Sequence, residues 1–373
     1  MTPPADTITG IVARVVRPLA DPLSLASLPP RELDLTIRLL RRARLLGRVA
    51  FRLQRAGQLD ALPHPLPDHL HSSLVSAEAR RRAALWEMDR ISVAIGGPGI
   101  RPIALKGCAY LLGGLPNAGG RSFADVDLLL PAGQLAEVER RLLRQGWRAD
   151  ALSAYDEHYY RHWAHELPPL THVERDVEVD LHHNLVMPTG RLRPDASLLV
   201  AAARTVPGMP YRTLAPVDMV LHAAIHLFQG GELADGLREL VDIADLLTHF
   251  AEHEPGFWPS FWPRAEQLGL TRPAFYALRY AQRWLGVQLP PEVAGAAAAA
   301  LPPAPVLAVM DRLVPLALFP LHPDRPGRFV GPARLGLFVR SHWVRMPPPM
   351  LARHLGYKFY LRVLERTGRA SRA

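Results

Sequence analysis

Asp125 and Asp127 stand two residues apart in a Leu- and Val-rich run, and a second alternating segment, Glu178-Val179-Asp180-Leu181-His182, follows further along the chain. On a β-strand, side chains two apart point to one face. Asp125 and Asp127 therefore project together, and so do Glu178, Asp180 and His182. Carboxylates in an apolar setting need water, a paired charge or a bound cation. Like carboxylates held close repel one another, and a divalent ion relieves that repulsion. Oxygen donors of this kind suit Mg²⁺ or Mn²⁺ rather than zinc. An isolated D-x-D also occurs at ordinary strand ends, where the aspartates meet solvent, a helix N-terminus or a cation such as Arg121.

Cationic groups flank the pair. Leu105-Lys106-Gly107 ends an apolar run at a glycine, which reads as a strand-to-helix turn whose backbone N–H groups suit phosphate. Lys106 adds positive charge there, and Lys106 and Lys358 are the only lysines among 44 basic residues. Arg121, four residues before Asp125, can meet phosphate or pair with the aspartates. Other candidates have simpler explanations. His158, His162, His165 and His172 cluster, and His222 and His226 share a helix face, but H-A-A-I-H lacks the glutamate of H-E-x-x-H, so core or hydrogen-bonded histidines are expected. An i, i+4 ion pair accounts for Arg238 with Asp242, on a helix that also carries Glu239 and Asp245 and that could close over a nucleotide. Cys108, the single cysteine, has no assignable base and reads as a small buried residue.

The elements that must position these groups follow from periodicity. Residues 1–30 are punctuated by proline and read as irregular apart from a short helical turn. A helix is expected over 31–55 and another over 70–95, closed by Gly96 and Gly97. Then come a strand at 102–105, a short helix at 108–112, a strand at 125–130 and a helix at 131–145. Two or three further strands are expected before His183, the clearest at 176–182. Beyond Leu192 strand signals fade, and helices are expected at 193–204, 216–229, 233–250, 257–268, 271–285, 304–319, 332–343 and 349–366, with 288–301 a helix or linker. The division is a helical region at 1–97, an α/β unit at 98–190 and a helical region at 191–373.

Composition agrees with a globular chain: 373 residues, 49% hydrophobic, 21% charged. No apolar run approaches the ~20 residues of a membrane span, and the N-terminus lacks a secretory pattern, so a cytoplasmic protein without integral membrane association is expected. The formal charge of +9 favours anionic partners, but no dense basic block with interleaved aromatics marks a nucleic-acid surface.

Over about residues 100–185 the sequence resembles the nucleotidyltransferases of the DNA polymerase β-like superfamily, above all a bacterial group of uncharacterised nucleotidyltransferases. The resemblance lies in Leu105-Lys106-Gly107, in Arg121-Ser122-Phe123-Ala124-Asp125-Val126-Asp127-Leu128 and in Val179-Asp180-Leu181-His182. It implies an α+β fold: a small mixed sheet in a palm-like catalytic domain, flanked by helical regions. It implies that Asp125, Asp127 and Asp180 hold Mg²⁺ or Mn²⁺, and that Lys106, Gly107 and Arg121 neutralise a nucleoside triphosphate. The activity implied is transfer of a nucleoside monophosphate to a hydroxyl of a small molecule, a protein or an RNA. A catalytically degenerate member serving as a binding or scaffolding subunit is the alternative. Two positions depart from the family pattern. The third acid is Asp180 instead of the commoner Glu, and Cys108 follows the turn glycine where Ser or Gly is usual.

Overall fold

The computed structural model describes residues 7–96, 99–149, 157, 159–161, 163–175, 177–229, 233, 236–325, 327–353 and 355–357. The fold is α+β: a seven-stranded mixed sheet flanked by helices. On the N-terminal side lie α1 (Ile8–Ala20), α2 (Pro30–Arg42), α3 (Leu46–Arg55) and α4 (Leu66–Ile95). The region expected to be irregular thus contains a 13-residue helix, capped by Thr7 and burying Ile11, Val15 and Leu19. Its apolar spacing outweighs Pro18, which falls near the helix end. The helix expected over 31–55 is two, because Arg44 adopts a left-handed φ of 57° between them. Helix α4 begins before residue 70, since Pro67 lies in its first turn, where a missing N–H costs nothing.

The sheet is built from β1 (Ile103–Ala104), β2 (Asp125–Leu129), β3 (Trp147–Ala149), β4 (Leu170–His172), β5 (Glu178–His182), β6 (Arg204–Thr205) and β7 (Arg212–Thr213), in the order β3-β4-β5-β2-β1-β7-β6. Between strands run α5 (Lys106–Leu112), α6 (Ala132–Arg144) and α7 (Ala196–Ala202). The pair β6–β7 was not expected beyond Leu192. Two residues per strand are too few to show alternation, and β7 is held by parallel pairing to β1. The central pairing is parallel β2–β5, with Asp125 opposite Glu178, Asp127 opposite Asp180 and Leu129 opposite His182. One register therefore sets the two acidic segments side by side. Val126, Leu128, Val179 and Leu181 point to the other face, and all are fully buried.

The C-terminal helices are α8 (Pro216–Gln229), α9 (Leu237–His253), α10 (Phe257–Gln267), α11 (Thr271–Leu285), α12 (Pro291–Ala299), α13 (Ala304–Leu318) and α14 (Val330–Arg345). Their apolar faces and those of the sheet and α1–α4 form one contiguous buried cluster. Ion pairs fix the layers. Arg175 grips Glu87 of α4 through Nε and Nη2 at 2.7 and 3.1 Å, with its guanidinium 4.8 Å from the Trp147 ring centroid. Arg264 of α10 holds Asp218 of α8 with two bonds of 2.7 Å. No single helix among the described residues is long and apolar enough to cross a membrane.

Candidate active site

The turn from β1 into α5 sets the first functional group. Lys106, not the glycine after it, takes the left-handed conformation, with φ 45°. A bulky L-residue there is strained by about 1–3 kcal/mol, and such strain persists only where the surroundings over-determine it. Gly107 matters for space: a Cβ would come within 3.1 Å of the Arg121 Nε and 3.2 Å of the Phe123 ring. Behind the turn, Leu105 N–H donates to the Asp127 carbonyl at 3.0 Å. Cys108 is buried, its Sγ 3.6 Å from the Asp125 carbonyl oxygen, and burial beside two aspartates pushes its thiol pKa well up, so it is no nucleophile.

Asp127 is the centre of the cluster. It is 2% exposed, and its Oδ1 accepts from Lys106 Nζ at 2.7 Å and lies 3.1 Å from His182 Nε2. Burial alone would raise its pKa; Lys106 and His182 outweigh that and hold the carboxyl well below the usual range. Burial likewise works against the charge on Lys106, and Asp127, with Asp125 and Asp180 behind it, overrides this and raises the ammonium pKa. His182 spans two acids, its Nδ1 lying 3.2 Å from Glu166 Oε2. Glu166 reaches it through an isolated antiparallel bridge to His182. No alternating pattern surrounds Glu166, so sequence reading missed it.

Asp180, in register beside Asp127, is in the opposite condition. Its Oδ1 is buried without a hydrogen-bond partner. Burial first, then the carboxylates of Asp127, Glu166 and Glu178, push its pKa up to about 8. Ligand atoms of Asp127, Asp180 and His182 lie within 4.8 Å of one another, as do those of His165, Glu166 and His182. Asp125 stands outside the first trio, exposed at the strand edge. A carboxylate held ionised next to one that burial makes reluctant to ionise, with an orphaned oxygen, fits a divalent cation, whose charge would relieve both.

Two cavities meet here, sharing Lys106 and His226 in their walls. The first, about 190 Å³, is lined by Arg44, Lys106, Gly107, Arg121, Asp125 and Arg238 among others. Arg121 is already neutralised by a buried ion pair with Asp242 of α9, and its guanidinium lies 5.3 Å from the Tyr110 ring centroid. Neither aspartate of β2 is its partner. Asp242 is thereby taken from Arg238, the partner that i, i+4 spacing suggests. Arg44 and Arg238 make no ion pair among the described residues, and burial lowers the pKa of Arg238, with Arg121 adding to the effect. Glu239 bonds His226 at 2.8 Å; that ring and Arg238 overcome its burial and bring its pKa down to about 2. Asp245 pairs with Arg48 of α3.

The second cavity, about 340 Å³, holds His165, Glu166, Asp180, His182, His222 and Gln229. His222 and His226 share a face with ring centroids 6.4 Å apart, yet form no metal-binding group among the described residues. His172 stands apart, 3.1 Å from the Gln145 carbonyl oxygen and edge-on to Trp147. His158 and His162 lie outside the described residues. A sequence model for a family described as uncharacterised nucleotidyltransferase matches residues 29–286. No curated protein and no solved structure matches the chain.

Proposed function

The chain belongs to the uncharacterised nucleotidyltransferase family, and on that premise we propose that it moves a nucleoside monophosphate from a triphosphate to an acceptor hydroxyl with a divalent cation. The observation that carries this reading is the condition of Asp180, which lines the second cavity and whose orphaned buried oxygen belongs to a residue in register beside the ionised Asp127. Asp127 and Asp180 would hold Mg²⁺ or Mn²⁺, with a His182 nitrogen in the same trio and Asp125 on the nucleotide side. The cation, when bound, would polarise the phosphoryl oxygens and offset charge on the leaving pyrophosphate.

The remaining chemistry belongs to the chain's own groups. Arg44 and Arg238, which form no close ion pair among the described residues, would offer positive charge to the triphosphate, and Lys106 stands where the phosphates would approach the aspartates. Gly107 keeps the turn narrow enough for Arg121 to line the same wall. Phosphoryl-group transfer depends chiefly on such positioning and charge stabilisation. Asp180, whose carboxylate lines the second cavity, would accept the acceptor's hydroxyl proton.

The test is incubation of the protein with Mg²⁺ or Mn²⁺ and each α-labelled triphosphate, with and without cell extract. The expected result is pyrophosphate release with transfer of label to an acceptor, abolished in Asp125→Asn and Asp127→Asn variants that remain folded. Full activity in either variant refutes the assignment. A silent site that binds no triphosphate in a cation-dependent way marks a binding subunit instead.

A further inference from the structure

The second cavity contains more unsatisfied polar groups than a structural core tolerates. Gln229, at the end of α8, is 3% exposed, and neither its Oε1 nor its Nε2 has a hydrogen-bond partner. His165 Nδ1, Asp180 Oδ1 and Arg345 Nε are likewise buried and unpartnered, and all four side chains line this one cavity. A buried polar atom left unsatisfied costs about 1–3 kcal/mol, so four residues in one chamber point to a ligand that bonds them. Leu185, Val186 and Ile225 supply apolar wall between them.

Charge within the chamber is uneven. Glu166 is engaged by His182, and Asp180 lies at the Asp127 end. Burial keeps the rings of His165 and His222 neutral by lowering their pKa values well below the usual imidazole range. Arg345, at the end of α14, makes no ion pair among the described residues; its Nη2 donates to Ser341 Oγ at 3.2 Å. A guanidinium with no acid paired to it among the described residues, in a cavity where Lys106 is bound to Asp127, is an open anion site.

Resting on the nucleotidyl-transfer reading, we propose that this cavity is the acceptor site. Its ligand is a small molecule with a hydroxyl at the Asp180 end, an uncharged hydrogen-bonding group at Gln229 and an anionic group at Arg345. At about 340 Å³ the chamber matches the smaller end of metabolite pockets. In the reaction the acceptor oxygen forms a bond to the α-phosphorus, the bond from that phosphorus to the β-bridging oxygen breaks, pyrophosphate leaves, and the hydroxyl proton passes to the carboxylate of Asp180, which lines the chamber. No oxidant or further reactant is required.

The experiment is ligand-observed saturation-transfer NMR on the full chain, without nucleotide, using glycerate, glycerol 3-phosphate and glycerol as probes. The first two separate a carboxylate from a phosphate; the third lacks the anion. We expect one anionic probe to bind at least roughly tenfold tighter than glycerol, a preference lost in Arg345→Met and partly restored in Arg345→Lys, as befits a hydrogen bond to a charged group. Gln229→Leu should weaken all binding by roughly threefold to tenfold. Circular dichroism confirms that each variant is folded. Failure of both anionic probes to bind, equal binding of glycerol, or indifference to Arg345→Met overturns the assignment. Cation-dependent ATP binding, measured in parallel, separates the two readings: ATP bound with silent probes removes the acceptor site alone, whereas a chain that binds a probe but fails to bind ATP with any cation removes nucleotidyl transfer. Label passing only to a macromolecule in extract, with all probes silent, also overturns it.

Discussion

Replacing Lys106 by Met removes the cation that sits 2.7 Å from Asp127 Oδ1 and leaves that carboxylate, 2% exposed, with His182 alone. Losing one partner of a buried pair costs about 3–5 kcal/mol, and the remaining imidazole puts this case near ~3 kcal/mol. With an unfolding entropy of ~2.1 cal/mol/K per residue, a chain of 373 residues shifts about 1.3 °C per kcal/mol, so the apparent Tm should fall by about 4 °C. A divalent ion held by Asp127 and Asp180, as proposed, would supply the missing charge. At a hundred times its Kd it stabilises by about 2.7 kcal/mol, or about 3.5 °C. In the wild type that ion must first displace an ammonium, so its response is smaller. The assay is thermal unfolding by circular dichroism with chelator and then with excess Mn²⁺, on wild type, Lys106→Met and Lys106→Met/Asp127→Asn. The double variant keeps Asp180 but loses the carboxylate that Lys106→Met leaves uncompensated, so its cation response should be smaller than that of the single variant. Equal Mn²⁺ shifts in wild type and Lys106→Met would refute the reasoning, as would no shift in the single variant.

Arg121 and Asp242 form a buried pair with side chains 8% and 6% exposed, so Arg121→Met or Asp242→Leu alone should each destabilise by about 3–5 kcal/mol. The double variant should regain most of the loss in urea unfolding; strictly additive losses would mean the pair carries no coupling. Arg238→Gln removes a cation that forms no close ion pair among the described residues, so nucleotide affinity should fall roughly tenfold while the urea midpoint drops only modestly, through the lost attraction to Glu239. Calorimetric titration of ATP checks this. His222, 5% exposed, is held neutral by burial and neighbouring cations, its folded pKa well below that of the unfolded chain. The unfolded state alone takes up its proton below about pH 6.5, so its stability contribution is present above that pH and lost as pH falls, by up to ~1.4 kcal/mol per unit. Asp180, raised to about 8, works with the opposite sign in both proteins. Hence the difference in urea midpoint between wild type and His222→Gln should narrow on acidification, and a constant difference would contradict neutral burial.

Much of the site was legible because period-two alternation survives in short strands. Asp125 with Asp127, and Glu178, Asp180 and His182, could be placed on two faces, and parallel pairing of β2 with β5 then joined them. Helices α8 and α11 begin and end where their apolar spacing indicates. What sequence could not supply was any relation across distance. Arg121 finds Asp242, 121 residues away, and Glu166 reaches His182 from a loop with no periodicity. Backbone handedness was equally hidden: Gly107 advertised the turn, yet Lys106 takes the left-handed conformation, and Arg44 does the same between α2 and α3. Prolines misled in the other direction, concealing α1 behind Pro18.

The wall that Lys106 and His226 make between the two cavities also bears on the order of events. On the proposed reading, two chambers that share Lys106 and His226 would let nucleotide and acceptor reside together, and with Cys108 sealed in the core there is no exposed thiol to carry a nucleotidyl group between them. The kinetics that follow are those of a ternary complex. Double-reciprocal plots at varied acceptor should intersect rather than run parallel, and exchange of labelled pyrophosphate into triphosphate should require the acceptor to be present.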